Sequence, residues 1–208
     1  DGNVNYTSDD GVLFDIAMEK LIAYPGHNKN KSYDVPYGVT EIGEYAFDGC
    51  HNLSDITFPD TLVKIGGGAF NECDDLQFIN IPASVTDIAQ NAFLYGMSSL
   101  EEINVDEENE VYSSIDGVLY NKAKTKLIRF PAENYLAVEE SRYTLPASVR
   151  VIGQEAFYEC QNITDLYVHI GVKEFEMAAF MYFDSLTDIW YDGSKVNWEM
   201  IKKGEFNE

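Results

Sequence analysis

Five segments of this chain can be laid over one another so that an Ala-Phe pair falls in the same place in each. "VTEIGEYAFDGCHNLSDITFPDT" begins at Val39, "LVKIGGGAFNECDDLQFINIPAS" at Leu62 and "VTDIAQNAFLYGMSSLEEINVDE" at Val85. "VRVIGQEAFYECQNITDLYVHIG" begins at Val149 and "VKEFEMAAFMYFDSLTDIWYDGS" at Val172. Neighbouring starts in each group are 23 residues apart, and Phe47, Phe70, Phe93, Phe157 and Phe180 share one register. The third copy carries one extra residue between Phe93 and Leu100. A unit this short has too little apolar surface to fold alone. Self-similarity at such a period is the mark of coils that bury their faces on one another.

Each copy ends in L-x-x-I-x-Φ: Leu53/Ile56/Phe58, Leu76/Ile79/Ile81, Leu100/Ile103/Val105, Ile163/Leu166/Val168 and Leu186/Ile189/Tyr191. The last positions alternate as a half-buried strand does. Pro59 and Pro82 follow, where proline removes no ladder bond. The opening V-x-x-I predicts a second short extended piece, and the Ala-Phe pair fills the coil interior. Two longer segments interrupt the array, "DGVLFDIAMEKLIAYP" from Asp10 and "DGVLYNKAKTKLIRFP" from Asp116, 106 residues apart. Two apolar runs around a polar centre predict a β-hairpin in each. Beyond them the offset becomes 110, pairing Tyr33 with Tyr143 and Pro36 with Pro146. The expectation is one β-rich right-handed solenoid over residues 1–208, with little helix. It consists of two related modules, 1–112 and 113–208, with coils starting at 39, 62, 85, 149 and 172. No Gly/Ser or Pro linker divides the modules.

Charge narrows the partners. With 14 Lys and Arg against 36 Asp and Glu, the formal net charge is −22. Such a surface repels nucleic acid and anionic membranes. No apolar run is long enough to span a bilayer, and "DGNVNYTSDDGVLFD" lacks the character of a signal peptide. Cys50, Cys73 and Cys160 lack zinc-site spacing and are too few for a disulfide framework. They share the register Phe-x-x-Cys and read as small buried residues, although stacking permits a Cys50–Cys73 bridge. In the other copies Gly96 and Phe183 stand at the Cys position. The run "DEENE", Asp106 to Glu110, reads as a solvated loop, since it lacks the glycine and oxygen spacing of a calcium loop.

The motif "VTEIGEYAFDGC", the L-x-x-I-x-Φ-P that follows it, the "DGVLY…KLIRFP" hairpins and the closing "WYDGSKVNW" together resemble the bacterial BspA-like leucine-rich-repeat proteins. The likeness covers nearly the whole chain. It implies an α/β-type leucine-rich-repeat fold, a secreted or cell-surface location on host-associated bacteria, and adhesion to host proteins. It implies no catalytic residue. Phe175-Glu176, in place of the usual Ile-Gly, departs from the pattern and predicts a local irregularity of the coil.

In a leucine-rich-repeat coil the L-x-x-I-x-Φ strand lines the concave face and its x positions point outward. The final x is Thr57, Asn80, Asn104, Tyr167 and Trp190, and the middle x is Asp55, Phe78, Glu102, Asp165 and Asp188. Equivalent side chains of adjacent coils stand about 5 Å apart and form columns. Phe78, Tyr167 and Trp190 are therefore the expected ligand-binding anchors, because exposed aromatics favour protein or carbohydrate recognition. Asp55, Glu102, Asp165 and Asp188 suit a basic ligand, or form a merely solvated acidic face. His27, His51 and His169 are scattered, and there is no G-x-S-x-G, Walker-type loop or G-x-G-x-x-G. The expected function is non-catalytic protein binding without metal or cofactor. A structural spacer and a carbohydrate-binding module are the alternatives. The first hairpin and the tail around Trp198 are expected to cover the stack ends, which otherwise expose strand edges.

Overall fold

The computed structural model describes residues 3–207. The chain divides into two compact units, one running to Leu100 with Val105–Val111, the other comprising Glu101–Asn104 and the chain from Tyr112. In the first, β1 (Tyr6–Asp9), β2 (Val12–Asp15) and β3 (Lys20–Ala23) precede β4 (Ser32–Asp34), β5 (Glu41–Ile42), β6 (Asp55–Thr57), β7 (Lys64–Ile65), β8 (Phe78–Ile81) and β9 (Asp87–Ile88). β10 (Glu102–Val105) leads into the second. There β11 (Tyr112–Ile115), β12 (Val118–Asn121) and β13 (Lys126–Arg129) are followed by β14 (Arg142–Thr144), β15 (Val151–Ile152), β16 (Asp165–Val168), β17 (Glu174–Phe175) and β18 (Asp188–Tyr191). The helix α1 (Lys195–Glu199) and β19 (Lys202–Lys203) close the sequence of elements.

Each unit is a β-solenoid built on two strand columns. The V-x-x-I pieces continue the hairpins as parallel strands, in the order β1-β2-β3-β5-β7-β9 in one unit and β11-β12-β13-β15-β17-β19 in the other. Register is the repeat itself: Ile42 stands opposite Leu21 and Ile65, and Ile152 opposite Leu127 and Phe175. The L-x-x-I-x-Φ pieces form the second column, β4-β6 in the first unit and β14-β16-β18 in the second.

Inside, the Phe residues stack along each unit. Phe47 and Phe70 have centroids 5.5 Å apart and Phe70 and Phe93 5.7 Å, with planes within 15°. Phe130, Phe157 and Phe180 repeat this at 5.4 and 5.8 Å. Side chains twenty-three apart thus lie over one another, as the repeat predicts. Each column begins one ring before the first Ala-Phe pair of its unit, at Tyr24 and Phe130 of the hairpin ends. Burying such a ring stabilises by about 2–3 kcal/mol, before any stacking contribution.

The hairpins are three-stranded. β1 and β11, which the sequence reading leaves out, pair antiparallel with β2 and β12. Their polar sequences YTSD and YSSI carry no apolar alternation. What places them is the turn. Asp10-Gly11 and Asp116-Gly117 have positive φ at both residues (43° and 82°, 49° and 76°), the backbone twist that suits a two-residue hairpin loop.

Four local expectations are refined. Cys50, Cys73 and Cys160 are free and buried; the Cys73 thiol donates to the Phe47 carbonyl at 3.2 Å. In the third copy the cysteine place belongs to Met97, not Gly96: Leu100 N donates to Met97 O as Leu53 N does to Cys50 O. The extra residue precedes Gly96, whose φ of 64° matches 70° at Gly49 and 54° at Glu72. Phe175 keeps the strand register despite the changed Phe-Glu pair, and Glu176 accepts from Lys126 Nζ at 2.7 Å and Gln154 N at 2.9 Å. The "DEENE" loop is solvated except for Asn109, which is fully buried and donates to Pro82 O at 2.8 Å and Val85 O at 2.9 Å. A buried amide with both ends engaged fixes the loop where an exposed one would not. At the end of the second unit Trp198 packs edge-on against Phe175 and Tyr191, as expected of a covering tail.

Candidate functional site

Strand alternation in the second unit sends Leu166 and Val168 inward and leaves Asp165 and Tyr167 on the outer face. Parallel pairing then aligns Arg142, Asp165 and Asp188 in one outer column and Thr144, Tyr167 and Trp190 in the next. Tyr167 and Trp190 stack at 5.9 Å with planes 17° apart. The Arg142 guanidinium lies 5.0 Å from the Tyr167 ring centre. Tyr167 is therefore held between a cation and an indole, an arrangement favoured by the negative faces of the aromatic ring. Trp190 remains 51 % exposed.

Asp165 locks this stack. Its carboxylate accepts from Trp190 Nε1 at 2.8 Å and from Thr164 Oγ1 at 2.8 Å. The indole bond first, then the hydroxyl, hold the Asp165 carboxyl below the usual carboxylate range. The acid is a positioning group for Trp190. Asp188 is exposed on β18 and accepts from Thr187 Oγ1 at 3.0 Å. Beside the two rings a groove of about 290 Å³ is lined by Leu145, Val168, His169, Tyr191 and Asp192. His169 faces the carbonyl of Pro146 through Nε2 at 3.1 Å, while its Nδ1 accepts from Gly171 N at 3.0 Å. Both ring nitrogens are engaged.

The remaining sequence-predicted residues lie elsewhere. Asp55 is exposed on β6, in register with Ser32, and Phe78 is 36 % exposed at the start of β8, both in the first unit. Glu102 belongs to the second unit but sits on β10 against Gly117, accepting from Asn104 Nδ2 at 3.0 Å. Asp165, Tyr167, Asp188 and Trp190 form one patch. Arg142 is the member that the sequence reading missed. Its signal was present, since it stands 23 residues before Asp165, but the hairpin's variable loop hides the start of that coil. Among the described residues no group of three His, Cys, Asp or Glu is placed to hold a metal ion.

The profile of the BspA type leucine-rich repeat region matches residues 23–141 and 139–208. Among solved structures, the pneumococcal vaccine antigen PcpA is similar at 27% identity and a TM-score of 0.68, over 77% of this chain and 39% of that one. A leucine-rich cell surface protein from Faecalibacterium prausnitzii aligns at 23% identity and a TM-score of 0.54, over 83% of this chain and 62% of the other. The leucine-rich repeat protein of T. pallidum aligns at 20% identity and a TM-score of 0.54, covering 91% of this chain and 80% of that one. The chain thus spans less than two thirds of the first two. No curated protein sequence matches it.

Proposed function

The chain belongs to the BspA-type leucine-rich-repeat family, and from that premise we propose that it is a non-catalytic protein-binding module of a bacterial cell-surface or secreted protein. The observation that carries this reading is the Arg142–Tyr167–Trp190 stack, in which a half-buried Tyr167 supports an exposed Trp190 that Asp165 pins rather than leaves to move. A rigid, amphipathic aromatic loses little entropy when it binds, which suits a recognition anchor. Both faces of Tyr167 are occupied. A ligand therefore meets Tyr167 by its edge and by the groove beside it, contacts that suit a protein surface. Asp188, beside Asp165 in the outer column, supplies an acidic neighbour that selects basic partners, and Phe78 with Asp55 on the first unit and Glu102 on β10 are separate candidate contacts. The vaccine-antigen standing of the pneumococcal neighbour supports an extracellular or surface location. No helix among the described residues is long and apolar enough to cross a membrane.

The test compares capture of proteins from host extracellular material by the wild type, Tyr167→Ala and Trp190→Ala. At least tenfold less capture by each variant is expected. Equal capture would remove the two anchors, and selective binding on a glycan array would transfer the site to carbohydrate.

A further inference from the structure

A carboxylate held inside the second unit has no counterpart in the first. The Glu176 side chain accepts from Lys126 Nζ at 2.7 Å through both oxygens and from Gln154 N at 2.9 Å. One ammonium and one backbone N–H thus hold it beside β17. The repeat offsets carry Lys126 to Lys20, Gln154 to Glu44 and Glu176 to Gly66. The ammonium and the backbone N–H are kept, and the carboxylate is not. Glu44 N and Gly67 N, one coil apart, donate to no acceptor among the described residues. A Cβ on Gly66 would stand 2.7 Å from Glu44 N, so the bare glycine is what leaves that N–H uncovered. In place of the side chain lies a groove of about 550 Å³, whose lining includes Lys20, Ile22, Glu41, Glu44, Lys64 and Gly66.

The cations of this groove are only partly matched. Glu41 stands in register between Lys20 and Lys64, and its Oε1 lies 2.8 Å from Lys20 Nζ and 3.7 Å from Lys64 Nζ. One carboxylate therefore faces two ammoniums. In the second unit Val151 holds the Glu41 place, which leaves Lys126 to Glu176. β3, β5 and β7 each have a strand on both sides, so the groove is interior to its sheet.

We propose that this groove binds a single peptide carboxylate, terminal or side-chain, in the place that Glu176 fills in the second unit. The incoming oxygens accept from Glu44 N and Gly67 N, while Lys20 and Lys64 supply charge and Glu41 stays between them. Ile22 offers an apolar contact to the body of the ligand. Charge restricts the occupant. The exposed Glu44 side chain shares the groove, and the chain carries a formal net charge of −22. Both disfavour a polyanion and admit one carboxylate on a neutral or basic body. The site lies in the first unit and uses no part of the Tyr167–Trp190 stack, so either can fail without the other.

Three peptides are titrated into the intact chain while backbone amide shifts are followed by NMR. They are acetyl-Lys-Ala-Leu with a free carboxyl terminus, its C-terminal amide, and acetyl-Lys-Glu-Leu-amide. At least one of the two carboxylate peptides is expected to saturate, with the largest shifts at the Glu44 and Gly67 amides. The peptide lacking a carboxylate is expected to bind about tenfold more weakly or worse. Saturation by the free acid alone assigns the site to a chain terminus, and saturation by the Glu peptide assigns it to a side chain. Gly66→Glu, which copies the second unit, should remove binding and shift the Glu44 amide without any ligand. Lys20→Gln with Lys64→Gln should weaken binding about tenfold. The comparison of acid with amide uses wild-type protein, so its result does not depend on how a variant folds. Equal binding of all three peptides, or no binding of either carboxylate peptide, would overturn the proposal. So would saturation without shifts at Glu44 and Gly67, or full affinity in a folded Gly66→Glu variant.

Discussion

In the first unit the paired strands β4 and β6 present Ser32 and Asp55 in one outer column and Asp34 and Thr57 in the next. In the second the same columns hold Arg142, Asp165 and Asp188, then Thr144, Tyr167 and Trp190. The interior diverges far less. Tyr24, Phe47, Phe70 and Phe93 stack in one unit as Phe130, Phe157 and Phe180 do in the other. Even the hairpin turns agree: Asp15 Oδ1 accepts from Glu19 N and Lys20 N, and Asn121 Oδ1 from Thr125 N and Lys126 N. Inward positions must meet an equivalent partner one coil away on either side, so a change there is felt twice. Outward positions meet solvent, so the two copies of the module were free to diverge on that face.

The largest test of this contrast is to open the interior of both units. Phe70→Ala and Phe157→Ala each remove a ring stacked on both sides, and each is expected to cost about 3–5 kcal/mol in denaturant unfolding. Similar costs in the two units would support a shared interior; a value below about 1 kcal/mol in either would break the equivalence.

A smaller effect is expected where the interiors do differ. Tyr120 occupies the place of Phe14, and its hydroxyl pairs with that of Tyr143. Burial pushes Tyr120 up to about 12 and also raises Tyr143. The folded state therefore holds these protons more tightly than the unfolded chain. The resulting stabilisation is fully present below the ordinary value of 10 and is lost as pH rises from there toward 12. Tyr120→Phe copies the first unit. It is expected to cost about 1 kcal/mol at neutral pH and to flatten the alkaline loss of stability, both readable from unfolding midpoints across that range.

The smallest effect on stability belongs to the outer face. Trp190→Phe is expected to leave unfolding within about 0.5 kcal/mol of wild type, as surface changes do. Yet it removes the indole donor, so the Asp165 carboxyl should titrate closer to the ordinary carboxylate range. Carboxyl carbon shifts followed by NMR as pH falls would read this. An unmoved Asp165 would show that Thr164, and not the indole, sets its acidity.

Much of the fold was legible because a repeat states its own register. Once Phe47 and Phe70 align, so do Ile42 with Ile65 and the strands between them. The details that escaped were those with no apolar signal. β1 and β11 are polar strands held by a turn and a neighbour, and Asn109 looks like any loop asparagine until its amide is seen buried. Met97 took the cysteine place because hydrogen bonds, not residue counts, decide where an inserted residue bulges. Of the candidate site, the aromatic and acidic columns could be read from spacing. The pairing of Trp190 with Asp165 could not, because it runs diagonally between coils.

The sequence by itself determined which side chains face inward, since twenty-three-residue spacing and alternate burial leave little choice to a chain that must cover each coil with the next. Only the tertiary structure decided what the outward side chains do. Whether Asp165 is a free charge or a support for Trp190 depends on distances of a few ångströms between separate coils. Those distances follow from how one coil packs on the next, which no local pattern of residues encodes.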